Sequence, residues 1–71
     1  MTNSERNIKF LAVLDDNTRA DILGNIAQHY GVTQVDARWE VEGPDAESIL
    51  DYLTGPVRTA ASLLMKRNGL A

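Results

Sequence analysis

Few side chains in this sequence are of a type that does chemistry. His29 is the only histidine, and the only group whose ordinary pKa lies near neutrality. On a helix it would have Asn25 one turn back and Gln28 beside it. It would have no carboxylate three or four residues earlier to orient its ring. Ser4 and Ser48 have no histidine near them in sequence to act as a base. Asp15-Asp16 lacks the alternating oxygen ligands of a calcium loop. The stretch "GNIAQHYG" holds two glycines but neither the lysine nor the preceding strand of a phosphate-binding loop. There is no cysteine, hence no disulfide and no thiolate metal site. These residues imply no catalytic site, no cofactor and no metal, and the expectation is a protein that is not an enzyme.

The elements that would position such residues are short. A chain of 71 residues makes one domain. It buries only about 60% of its unfolded surface, so it gains much from a partner chain or from good helix packing. Residues 1–5, "MTNSE", are polar and expected to fray, leaving a single compact domain over 6–69. No apolar run approaches the roughly 20 residues that span a bilayer. "IKFLAVL" (8–14) is too short, and it lacks the basic start and cleavage site of a signal peptide. A soluble, cytoplasmic protein is expected.

Residues 17–30 carry the clearest helical pattern. Ala20, Leu23, Ala27 and Tyr30 recur at helical spacing, and Ile22 and Ile26 widen the stripe. Asn17 or Thr18 is the expected N-cap, and Gly31 the left-handed residue that closes the helix. Gly24 lies in mid-helix, either as a point of close approach or for no structural reason. Residues 44–68 form the second pattern. Pro44 suits a first helical turn. Positions 46, 50, 53, 57, 60 and 64 then step by four and three straight through Gly55-Pro56. Either two helices meet there, or one helix kinks at Pro56. Asn68-Gly69 ends the pattern. Residues 6–14 read as a helix capped at Ser4, with Ile8, Leu11 and Ala12 inward, or as a strand buried on both faces.

Residues 33–42 carry two conflicting periods. Val35, Ala37, Trp39 and Val41 alternate with polar residues as in a strand. Yet Thr33 with Asp36 resembles a capping box, and Val32, Val35 and Trp39 share one helical face. The favoured fold is all-α: a small single-domain bundle of four to five short helices near 4–14, 17–30 and 33–42 and over 44–68. The expected core is Leu11, Leu14, Leu23, Ile26, Ala27, Ile49, Leu50, Leu53, Val57, Ala61 and Leu64. The alternative is α+β with a short two-stranded sheet, strands near 7–14 and 33–42.

The stretch "IAQHYGVTQVDARWEV" (26–41) resembles a helix-turn-helix over about twenty residues. Ala27, then Gly31 four residues later, then Val32, match its first helix and turn. The resemblance implies a dimeric DNA-binding regulator. At the packing positions of the second helix, however, the matching residues are Ala37, which is small, and Glu40, whose burial would be costly. Segment 33–42 also holds three acids against Arg38, whereas DNA binders draw affinity from cations.

Charge is segregated within the overall −3. Asp36, Glu40, Glu42, Asp45, Glu47 and Asp51 crowd the middle, and Arg58, Lys66 and Arg67 the end. These are either solvated faces or surfaces that dock within one chain or between two. Trp39, Tyr30 and Tyr52 read first as core residues. At the surface, Trp39 beside Arg38 matches the residue types that dominate binding hot spots, with Tyr30, Tyr52 and Arg58 as further candidates. By elimination the sequence points to a small acidic protein-binding or regulatory module, an inhibitor or accessory subunit of a larger protein. Its expected partner is another protein or a second copy, not nucleic acid or membrane.

Overall fold

Thr2 and Glu5 decide where the first helix begins. In the computed structural model, which describes residues 1–71, the Thr2 hydroxyl accepts from the Glu5 N–H at 3.1 Å. The Glu5 carboxylate in turn accepts from the Thr2 N–H at 3.2 Å. This reciprocal capping box starts α1 (Asn3–Val13) inside the polar pentapeptide, and the cap is Thr2 in place of Ser4. The Thr2 backbone N–H, with the Thr2 hydroxyl beside it, holds the Glu5 carboxyl below the usual glutamate range.

The second helix, α2 (Asp16–Tyr30), is capped by Asp15, one or two residues earlier than Asn17 or Thr18. The Asp15 carboxylate accepts from the Thr18 N–H at 2.7 Å, and this lowers its pKa. Gly31 ends α2 with φ +68°, as its position requires. Gly31 and Val32 both donate to the carbonyl of Ala27. Thr33 then caps α3 (Gln34–Glu42), accepting from the Asp36 N–H at 3.1 Å. The strand alternatives at 7–14 and 33–42 are therefore not adopted. Both segments are helical, and the bundle is all-α with five helices.

No helix begins at Pro44. Residues 43–45 form a turn and 46–48 an irregular segment, followed by the single-turn α4 (Ile49–Tyr52) and by α5 (Gly55–Arg67). Side chains have taken the backbone groups that a helix would pair internally. The Ile49 N–H donates to the Asn7 side-chain oxygen at 2.9 Å. The Glu47 carbonyl accepts from the Asn7 amide at 2.8 Å, and the Glu47 N–H donates to the Tyr52 hydroxyl at 3.1 Å. At the other junction Gly55 turns the chain at φ +62°, so 49–67 is two helices and not one kinked helix. The Thr54 N–H donates to the Asn25 side chain at 3.1 Å, tying the start of α5 to α2.

Asn7 is fully buried and makes three hydrogen bonds. The third joins its amide to the carbonyl of Val41 at 2.8 Å, so one side chain on α1 gathers the end of α3, the 43–48 segment and the start of α4. Beside it the Ser4 hydroxyl donates to the Glu42 carbonyl at 2.7 Å. Arg19 closes the other end of α1. Its guanidinium donates to the carbonyls of Leu11 (2.8 Å) and Leu14 (2.6 Å) and pairs with Asp16 at 2.9 Å. A cation there also suits the negative end of the helix dipole.

The core gathers one face from each helix, with α3 packed on α1 and α2, and α5 on α2 and α4. Leu11, Leu14, Leu23, Ile26, Ala27, Ile49, Leu53 and Ala61 are buried as expected. Leu50, Val57 and Leu64 are partly buried against them. Phe10, Ile22, Ala37, Val41, Tyr52 and Met65 join the core as well. On α1 the inward face is Asn7, Phe10, Leu11 and Leu14, so Ile8 and Ala12 turn outward. Ala60 is exposed because α5 packs through Ala61 and Met65.

Asn7→Ala leaves two carbonyls and one N–H unpaired, and should cost about 2–5 kcal/mol by urea denaturation. Asn7→Asp sets a carboxylate against two carbonyl oxygens, and should be least harmful at low pH, where the carboxyl is protonated and can donate. An Asn7→Ala protein as stable as wild type would contradict this role. A Cβ at Gly24 would lie 3.4 Å from the Gln34 amide nitrogen, an ordinary contact. Gly24→Ala should therefore stabilise the protein by roughly 0.5–1 kcal/mol. Gly31→Ala, forced to positive φ, should destabilise it by roughly 1–2 kcal/mol.

Candidate interaction face

At roughly 100° per residue, Ala37 and Val41 set the inward face of α3, and Val35 and Trp39 fall on the opposite pole. Trp39 is 79% exposed and Val35 66%. This inverts the helical reading of the sequence, in which Val32, Val35 and Trp39 formed the natural packing stripe. The core uses the smaller set, Ala37 and Val41, because α1 and α2 approach α3 from that side. Glu40 is also displaced from its expected place: it is exposed, and Val41 takes the inward position.

The two flanks of the pole differ in chemistry. On one, Arg38 pairs with Glu42 at 3.1 Å, an i,i+4 contact within the helix. On the other, Asp36 and Glu40 form one wall of an open groove of about 430 Å³. Its remaining lining is apolar or aromatic: Ile26 and Tyr30 from α2, Val32 from the turn, Ala37 from α3 and Tyr52 from α4. The Tyr30 and Tyr52 rings meet edge to face at 6.0 Å. The Tyr52 hydroxyl accepts from the Glu47 N–H and reaches the Glu40 carboxylate at 3.5 Å. Burial is the main cause that pushes the Tyr52 pKa up. The negative charges of Glu40 and Glu47 add to it, and the Glu47 N–H opposes it.

The structure brings four of the five candidate residues to one side of the molecule. Trp39 and Arg38 lie on α3, and Tyr30 at the end of α2 is half exposed. Tyr52 is 9% exposed, so it belongs to the core and shows the groove only part of its ring. Arg58 stands apart in the first turn of α5, exposed and outside the groove lining. Val35, Asp36 and Glu40 complete the face. Val35 is signalled by the helical alternative at 33–42, in which it lies one turn from Trp39, and Asp36 and Glu40 by the acidic cluster in the middle of the chain.

A second, more open hollow beside α2 is lined mostly by polar residues, among them Asp21, Asn25, Gln28 and Gln34. His29 is exposed, its ring edge-on to Tyr30 at 4.8 Å. No group of three or more His, Asp or Glu side chains is placed to hold a metal ion. No helix is long and apolar enough to cross a membrane. Comparison of the chain with protein-family models, curated proteins and solved structures finds no match in any of the three.

Because the Tyr52 pKa is raised in the folded state, its contribution to stability is complete below the unfolded tyrosine value of about 10. That contribution falls as pH rises beyond it. Urea denaturation across the alkaline range should show this loss in wild type. Tyr52→Phe should remove the part due to Tyr52, at a cost near neutrality of about 1 kcal/mol for the unpaired Glu47 N–H.

Proposed function

We propose that this chain is a small non-catalytic module that binds another protein in the cytoplasm through the outward face of α3. It regulates that partner as an inhibitor or accessory subunit. The observation that carries the reading is the placement of Trp39, exposed at the pole of α3 with Val35 one turn before it. Leaving an indole in water forgoes the largest apolar burial any side chain offers. Tryptophan is also the residue type most enriched where protein interfaces draw their energy. The half-exposed Tyr30 and Val32 continue the apolar surface towards the groove.

A dimeric helix-turn-helix regulator is the second reading, and one observation favours it. Two helices joined by a tight turn at Gly31, with Ala37 and Val41 inward, meet the steric needs of that motif. The charges weigh against it. The outward surface of α3 offers Asp36, Glu40 and Glu42, and its one cation, Arg38, is already paired with Glu42. Phosphate contacts require the reverse balance.

Purified protein should not retard duplex DNA at low salt. Used as bait, the wild-type protein should retain a defined protein that Trp39→Ala does not, with the variant's stability within about 0.5 kcal/mol of wild type because the position is exposed. Salt-sensitive duplex binding that Arg38→Ala abolishes would instead establish the DNA-binding reading.

A further inference from the structure

The cations at the end of the chain find no acid within it. Only two ion pairs form, Arg19–Asp16 and Arg38–Glu42, and both are local to one helix. Docking of the acidic middle against the basic end inside one chain therefore does not occur, and both surfaces are left open.

Each surface has a defined shape. On α5, Ala61 and Met65 point inward, which sets Leu63 on the opposite pole, 58% exposed. Lys66 and Arg67 lie one turn further on, to either side of it, and both are exposed. Their place near the C-terminus suits the helix dipole, but that does not explain an exposed leucine between them. The groove beside α3 has the complementary form, with an apolar floor walled by Asp36 and Glu40. These two carboxylates stand four residues apart on one helix, a like-charge arrangement that weakens a helix unless a cation lies opposite. No cation of the same chain pairs with them.

We propose that the groove beside α3 receives the Leu63 face of α5 from a second copy of this chain. Leu63 enters between the Tyr30 and Tyr52 rings and α3, and Lys66 and Arg67 face Asp36 and Glu40. The occupant is a second copy because the same chain carries both the apolar knob with its two cations and the apolar groove with its two acids. A domain of this size, which buries 16 of 71 residues, also gains markedly from added apolar burial. The two surfaces differ, so the contact is either made twice across a two-fold axis in a reciprocal, isologous dimer, or made head to tail, which gives a ring or an open chain of copies. This goes beyond binding to a foreign partner, and it uses neither Trp39 nor Val35.

Sedimentation velocity of the full chain across a concentration series tests it. Wild type should self-associate, more weakly as salt rises. Asp36→Lys with Glu40→Lys gives a basic groove and a basic α5, whereas Lys66→Glu with Arg67→Glu gives an acidic groove and an acidic α5. Each variant alone should associate about tenfold more weakly or less. An equimolar mixture should recover association, since each groove then meets an opposite charge. All four positions are exposed, and circular dichroism checks the fold of each variant. Trp39→Ala should leave self-association unchanged while abolishing capture of a foreign partner, which separates this contact from the one proposed above. A wild type that stays monomeric to about millimolar concentration, an association indifferent to both charge reversals, or a mixture no better than its components would each overturn the proposal.

Discussion

The fold turns on a carboxamide in the wrong place for a simple amphipathic helix. Asn7 occupies the inward face of α1 among Phe10, Leu11 and Leu14, where an apolar residue would be expected. A buried amide without partners would cost several kcal/mol. Here both amide protons and the oxygen are matched by backbone groups from three other segments. The match works in both directions. The 43–48 segment cannot bond internally as a helix while its carbonyl at Glu47 and the N–H at Ile49 are engaged by Asn7, so the side chain both fills the core and shapes the loop that covers it.

This arrangement frees α3 from the need for a large apolar stripe. Its inward residues are only Ala37 and Val41, and a small residue at 37 lets α3 lie close to α1 and α2. Hydrogen bonds from Asn7 to Val41 and from Ser4 to Glu42 fix its C-terminal end, and the Thr33 cap fixes its start. With position and orientation set in this way, the bulky Val35 and Trp39 are free to face outward. The face proposed for binding thus follows from how the helix is held.

Much of the architecture is legible in the sequence because caps and periods are local. Gly31 and Thr33 behave at 31–33 as their chemistry demands. The 3.6 period of 17–30 marks a helix whose buried face is Ile22, Leu23, Ile26 and Ala27, whereas Ala20 and Tyr30 of the expected stripe turn outward. What is hidden depends on tertiary partners. Strict alternation at 33–42 fits a strand as well as a helix, and only packing against α1 and α2 shows that the alternating apolar residues lie on two different sides of one helix. Asn7 carries no sequence signal of burial, since its acceptors and donor lie more than thirty residues away. The in-phase stripe across Gly55-Pro56 looks continuous, and Val57, Ala61 and Leu64 do pack inward, but Ala60 turns to solvent and Met65, outside the expected core, takes a core position. Of the candidate face, Trp39, Arg38 and Tyr30 are legible from residue type alone. The acidic wall and the groove are not, because they require the side of α3 on which Asp36 and Glu40 fall.

The exposure of Trp39 also sets what light can report about this protein. It is the only tryptophan, and its ring stands in water while the core is intact. Its emission is therefore that of a solvated indole before and after unfolding, so the usual fluorescence signal of denaturation is nearly silent here. The same position makes it a clean optical probe of contact. A blue shift in the folded protein can arise only when something else covers α3.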